Sequence, residues 1–173
     1  ELIAKNLQEQ QVDHVVFSYH GLPESNIKKA DSQGVCEFGS CCEQISDNNR
    51  LCYRAQCIGT TKNIVTALNW SEDRYSIAFQ SRFGRQAWIQ PYLDDHLEKL
   101  LASGCKRIAI VTPSFVSDCL ETIHEIGIEY REQFMEGGGE VFQLLPNLND
   151  DPVWFNSVYE ISQRHLMKSQ NSR

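Results

Sequence analysis

No apolar run in this 173-residue chain approaches the ~18 residues that a bilayer span requires, because each is broken by polar residues within a few positions. A transmembrane role is not expected, although peripheral membrane contact stays open. Positive charge is scarce as well: 16 Lys and Arg stand against 23 Asp and Glu, a formal net charge of -7. Such a field repels phosphate backbones and anionic surfaces, so nucleic acid is not an expected partner. Residues 1–11 lack both an initiator methionine and the apolar core of a signal peptide, and read instead as a polar amphipathic helix. The expectation is a cytoplasmic piece of a longer polypeptide. There is no internal repeat and no Cys-x-x-Cys pair. What remains, 41% hydrophobic and 23% charged residues, has the proportions of one ordinary globular domain.

Residues 12–19 (VDHVVFSY) are apolar and β-branched, the pattern of a strand buried on both faces of a parallel sheet. Residues 75–79, 107–112 and 141–145 are similar short runs, separated by stretches of helical periodicity. Helix end signals support this reading. Pro91 suits the first turn of a helix with Leu93, Leu97, Leu100 and Leu101 on its apolar stripe, and Gly104 suits its C-terminal cap. Asp151-Pro152 opens the last helix, and Gly137-Gly138-Gly139 closes the one that begins near Ser117. The alternation predicts an α/β fold, a Rossmann-like parallel sheet of about four strands with helices on both faces.

In such sheets ligands bind beyond the carboxyl ends of the strands. His20, Arg82, Trp88 and Glu121 map to that edge. An imidazole at position 20 suits a base near neutral pH or a nitrogen ligand for a borderline metal, as against a turn histidine bonded to backbone. Trp88 and Phe83 with Arg82 offer a flat apolar wall and a cation for an aromatic polyacid, as against ordinary packing. Asp118 and Glu121 have capping-box spacing. Glu121, Glu125 and Glu129 recur every four residues, whereas an α-helix returns every ~3.6, so the carboxylates would drift around the axis unless a π-type distortion realigned them. Gly127, costly inside a helix, fits such a distortion, and the alternatives are a cation ladder and a solvated face.

Five of the seven cysteines fall in one segment, Cys36, Cys41, Cys42, Cys52 and Cys57, within a long aperiodic connection over residues 28–50 and its flank. The spacing matches no zinc finger; four thiolates would complete a [2Fe-2S] ligand set, with structural zinc and free thiols as the alternatives. Adjacent Cys41 and Cys42 would not easily share one iron.

The blocks VVFSYHGLPES, AQCIGTTKNIV, FQSRFGRQAWIQPYLDDHLEKL, VTPSFVSDCLETIHEIGIEYRE and LPNLNDDPVWF together resemble, in that order, the C-terminal half of bacterial ferrochelatases. The resemblance implies a chelatase-like lobe spanning residues 1–173, one of two that face each other across a cleft, with a cysteine-rich insertion at about residues 34–57. It implies insertion of Fe(II) into a protoporphyrin or coproporphyrin in haem synthesis. His20 falls on the family's active-site histidine, Glu121 on the carboxylate opposite, and Glu125 and Glu129 on an acidic line for metal traffic. Trp88 falls on a porphyrin-contacting tryptophan. Cys119 departs from relatives that carry histidine there, and some relatives hold a [2Fe-2S] cluster, for which four of the five clustered cysteines would serve. Lacking the N-terminal lobe, the isolated chain is expected to be weakly active or inactive. The competing expectations are a noncatalytic metal or iron-sulfur redox-sensing module and a cobalt or nickel tetrapyrrole chelatase.

Overall fold

The computed structural model describes residues 2–7 and 11–170. A short helix, α1 (Leu2–Leu7), precedes the central strand β1 (His14–His20). Then come α2 (Glu24–Ala30), the cysteine-rich loop, α3 (Tyr53–Ala67), β2 (Tyr75–Gln80), α4 (Leu93–Ala102) and β3 (Arg107–Val111). A π-helix (Glu121–Tyr130) runs into α5 (Arg131–Glu136), followed by β4 (Val141–Leu144) and α6 (Pro152–Gln170). Of the predicted helix at residues 1–11, Leu2–Leu7 is observed and Gln11 is outside it; Glu1 and residues 8–10 lie outside the described residues.

The four strands pair in the order β2-β1-β3-β4, all parallel, as the alternation predicts. Side chains alternate across β1 because a strand has a period of two. Val15, Phe17 and Tyr19 enter one core with Cys57, Val65 and Phe79, while Val16 enters the other with Leu93, Leu97, Ile126 and Phe134. Burial on both faces is the reason β1 reads as a continuous apolar run. The chain leaves β1 toward β2 on one side and reaches β3 on the other. A crevice therefore opens at the carboxyl ends of β1 and β3, the switch point of the sheet.

Several end signals act as expected. Gly104, at φ 88°, ends α4 with its amide on the Leu101 carbonyl. Asp151 caps α6 by accepting from the Val153 amide at 2.8 Å. A Cβ on Gly139 would lie 2.3 Å from the Phe134 ring, so only glycine fits the return into β4. Pro91 is a correction: it lies ahead of α4, which begins at Leu93, in a cis peptide with Gln90. Its carbonyl accepts the Phe79 amide at 2.8 Å and extends the edge of β2, a role its missing N–H does not hinder.

At the amino-terminal edge of the sheet, three side chains form a relay. His14 Nδ1 lies 3.1 Å from the Asp73 carbonyl, which can only accept, so Nδ1 carries the proton. Ser76 Oγ then donates to His14 Nε2 at 2.9 Å and accepts from His96 Nε2 at 2.7 Å. Burial is the main influence lowering the pKa of both imidazoles, opposed at His14 by Asp73 and reinforced at His96 by His14 and Lys99. The unfolded chain therefore binds more protons than the folded one, and the stability this relay gives is lost as pH falls from about 6.5 through the lowered values. We predict that the urea midpoint falls between pH 7.5 and 5.5, ahead of the loss below pH ~4 where carboxylates titrate; a flat midpoint over that interval would contradict the relay. Ser76→Ala should cost about 1–2 kcal/mol in the same measurement.

Candidate functional site

His20 ends β1 and stands at the crevice. Its Nδ1 donates to the Gly21 carbonyl at 2.7 Å, so Nε2 is the basic nitrogen of the neutral ring. The ring lies between two aromatic neighbours, Trp88 at 6.5 Å and Phe115 at 6.4 Å between centroids. From below, the Tyr53 hydroxyl donates to the His20 carbonyl at 2.8 Å. Imidazole position is thus set by a strand end, a turn carbonyl and two rings.

Trp88 is held to the turn after β1 by backbone. Pro23 and Trp88 form an antiparallel bridge, with the Glu24 amide on the Ala87 carbonyl at 2.9 Å and the Ile89 amide on the Leu22 carbonyl at 3.0 Å. The indole N–H donates to the Phe83 carbonyl at 2.9 Å. Gly21 permits this approach: a Cβ there would stand 2.9 Å from the Gln80 carbonyl and 3.2 Å from the Trp88 ring. Around the mouth Phe83 is 82% exposed, Leu120 73% and Ile123 56%. Such an apolar fringe is what a ligand-binding surface presents.

Glu121 opens the π-helix, as the four-residue recurrence of acids anticipates. A hydrogen bond from Cys119, the residue's own backbone amide and the charge of His20 hold its carboxyl below the usual carboxylate range. Gln80, in register with His20, donates to the Glu121 carbonyl at 3.0 Å, which brings the two residues to one edge of the sheet although a hundred residues separate them. The capping-box reading does not hold, because Asp118 spends its carboxylate elsewhere: it accepts from Asn147 at 2.9 Å and Asn149 at 2.8 Å, tying the loop after β3 to the loop after β4.

Glu125 joins the same edge, accepting from Ser81 Oγ at 2.6 Å and Gln80 Nε2 at 3.4 Å. Glu129 does not: it is exposed and lies 3.2 Å from His124. Arg82 turns onto Asp94 at 2.5 Å and the Tyr92 ring at 4.4 Å, so its cation is engaged within the chain. The sequence reading missed Gln80, Ser81, Tyr53 and Phe115. A glutamine and a serine straight after an apolar strand were the visible signal; which way they turn was not.

Four of the clustered cysteines, Cys36, Cys41, Cys42 and Cys52, line one cavity of about 270 Å³ beneath α2. Cys41 and Cys42 sulfurs are 3.6 Å apart. Burial opposes ionisation of Cys41, yet hydrogen bonds from the Glu37 and Gly39 amides and from Cys42 and Cys36 outweigh it and hold the thiol below its ordinary range. Burial pushes Cys42 up to about 11. Cys57 is apart, buried in the core beside Tyr53, its pKa pushed up to about 12 by burial. Among the described residues no three His, Cys, Asp or Glu side chains surround a single ion position.

Gly21 supplies a test of this geometry. Gly21→Ala should lower the urea midpoint, because the new Cβ meets the Gln80 carbonyl at 2.9 Å, and should shift Trp88 off His20, seen as a changed tryptophan emission maximum; an unaltered emission and midpoint would contradict the close approach.

The Ferrochelatase family model matches residues 1–166. The chain is 45% identical over 166 residues to the ferrochelatase of Coxiella burnetii (strain Dugway 5J108-111), covering 95% of this chain and 47% of that protein. It is 45% identical over 161 residues to that of Bdellovibrio bacteriovorus, covering 93% and 48%, and 45% identical over 153 residues to that of Legionella pneumophila (strain Corby), covering 88% and 46%. The chain spans about half the length of the curated relatives it matches. With the family model covering nearly all of the sequence and each of these relatives sharing almost half of its residues, the chain belongs to the ferrochelatase family.

Proposed function

We propose that this chain is the C-terminal lobe of an enzyme that inserts ferrous iron into a porphyrin in haem synthesis, and that His20 and Glu121 carry the chemistry. The observation that carries the reading is that His20 and Glu121 meet at the carboxyl edge of the sheet through Gln80, which pairs in register with His20 and donates to the Glu121 carbonyl at 3.0 Å. Metallation needs two pyrrole N–H protons removed, water stripped from the metal, and a stiff macrocycle held so that its nitrogens are reachable. His20 Nε2, with Nδ1 committed to Gly21, is an oriented acceptor for a pyrrole proton. Glu121, its carboxyl held below the usual carboxylate range, takes the proton onward or holds the cation. Glu125 continues the acidic path outward, and Glu129 is assigned its exposed end. Trp88 and the apolar fringe of Phe83, Leu120 and Ile123 suit one face of a flat tetrapyrrole. Arg82 is assigned a supporting contact to a porphyrin carboxylate, reached by exchange from Asp94.

The other wall is assigned to a second, N-terminal lobe, a reading supported by relatives about twice the length of this chain. Helix α6 supports this, because Val153, Phe155, Val158, Tyr159 and Ile161 are exposed along it. The absence of any helix long and apolar enough to cross a membrane, among the described residues, is compatible with a cytoplasmic setting.

The cysteine loop is read as the seat of a [2Fe-2S] cluster held by Cys36, Cys41, Cys42 and Cys52. Two thiolates per iron is the requirement, and these four sulfurs share one cavity while Cys57 does not. When bound, the group would supply one-electron redox chemistry and a tie between the loop and α3. Tyr53, the residue after Cys52, reaches the His20 carbonyl, so the loop and the crevice share a neighbour.

Two outcomes are expected in the full-length protein. His20→Ala and Glu121→Gln should each lower porphyrin metallation by about 100-fold or more while porphyrin binding is largely kept; near-normal rates in both would remove their assigned roles. Serine at Cys36, Cys41, Cys42 or Cys52 should abolish bound iron and sulfide and the visible absorption, whereas Cys57→Ser should retain them. Stoichiometric zinc in a colourless protein would overturn the cluster assignment.

A further inference from the structure

Gln80 is a buried polar side chain whose every hydrogen-bonding group is used. It is 1% exposed at the carboxyl end of β2, paired in register with His20. Its Oε1 accepts from Ser18 Oγ at 2.7 Å, and its Nε2 donates to the Glu121 carbonyl at 3.0 Å and to Glu125 Oε2 at 3.4 Å. One carboxamide thus joins β1, β2 and the first residue of the π-helix. The next residue, Ser81, lies at φ 65°, a left-handed conformation that costs a non-glycine residue roughly 1 kcal/mol. In that conformation its hydroxyl donates to the same Glu125 oxygen at 2.6 Å. A strained backbone that aims a hydroxyl at a carboxylate in a cleft is retained where the geometry serves function.

We propose that Gln80 and Ser81 are positioning residues for the metal path: together they hold Glu125 Oε2, so that cation binding falls to Oε1, and Gln80 fixes the entry of the π-helix on which Glu121 and Glu125 ride. The proposal rests on the reading of the cleft as a metallation site and adds residues that never touch iron or porphyrin. Two donors on one oxygen remove the swing of a glutamate side chain. An error near 1 Å in such a group costs up to 100-fold in rate.

The test uses steady-state metallation by the full-length protein with iron and porphyrin varied separately. Ser81→Gly removes the hydroxyl and relieves the left-handed strain, so it should fold. The Michaelis constant for iron should rise about tenfold with the porphyrin constant unchanged. Gln80→Glu is the second variant. Its new carboxyl is buried beside Glu125, so it stays protonated and donating at low pH and repels Glu125 once ionised. Its iron constant should exceed the parent's by a ratio that grows as pH rises, with the porphyrin constant unchanged. A loss confined to packing would instead lower the thermal midpoint and move both constants together at all pH values, which would overturn the proposal, as would an unchanged iron constant in Ser81→Gly. Inactive His20→Ala and Glu121→Gln beside unaffected Ser81→Gly and Gln80→Glu would remove the positioning role alone. Near-normal His20→Ala and Glu121→Gln would remove the reading on which it rests.

Discussion

A single buried carboxamide joins the sheet to its irregular helix. Gln80 meets a hydroxyl from β1 on one side and a backbone carbonyl of the π-helix on the other. A buried amide left unpaired at either end costs about 1–3 kcal/mol, so the arrangement that pairs both ends of Gln80 is favoured. That demand locks three elements into one arrangement. The carboxylates of Glu121 and Glu125 are then carried at fixed heights beside His20.

Orientation of the imidazole follows from equally simple constraints. A carbonyl can only accept, so the Gly21 oxygen assigns the proton to Nδ1 and leaves Nε2 basic. Gly21 has no side chain because Gln80 and Trp88 already occupy the space where one would stand. Trp88 in turn is held through the bridge to Pro23, so the aromatic wall and the base are parts of the same short turn. Cys119 is bound to the first turn of the π-helix by backbone, its amide donating to Thr122 Oγ1 at 2.9 Å and its carbonyl accepting from the same hydroxyl at 3.1 Å.

Two features extend beyond the crevice. The cysteine loop sits between α2 and α3 and touches the site through Tyr53, which places any chemistry at its sulfurs one residue from the support of His20. The last helix carries exposed Val153, Phe155, Val158, Tyr159 and Ile161, while the two cores of the sheet are closed without them.

The α/β class, four parallel strands and most helix ends were legible because burial on both faces forces continuous apolar runs, and because glycine and aspartate at helix ends act through their nearest neighbours. The places of His20, Arg82, Trp88 and Glu121 beyond the strand ends were legible from their order in the chain, and the π-helix from the four-residue spacing of its acids. The pairing of Arg82 with Asp94, the outward ion pair of Glu129 with His124, and the diversion of Asp118 onto Asn147 and Asn149 were not, since each partner is chosen by side-chain direction. Local chemistry along the chain determined which elements form and in what order. Only the tertiary structure decided that β2 delivers Gln80 and Ser81 to the π-helix, and that Cys57 faces the core while four other thiols face one cavity, because those outcomes depend on contacts between segments dozens of residues apart.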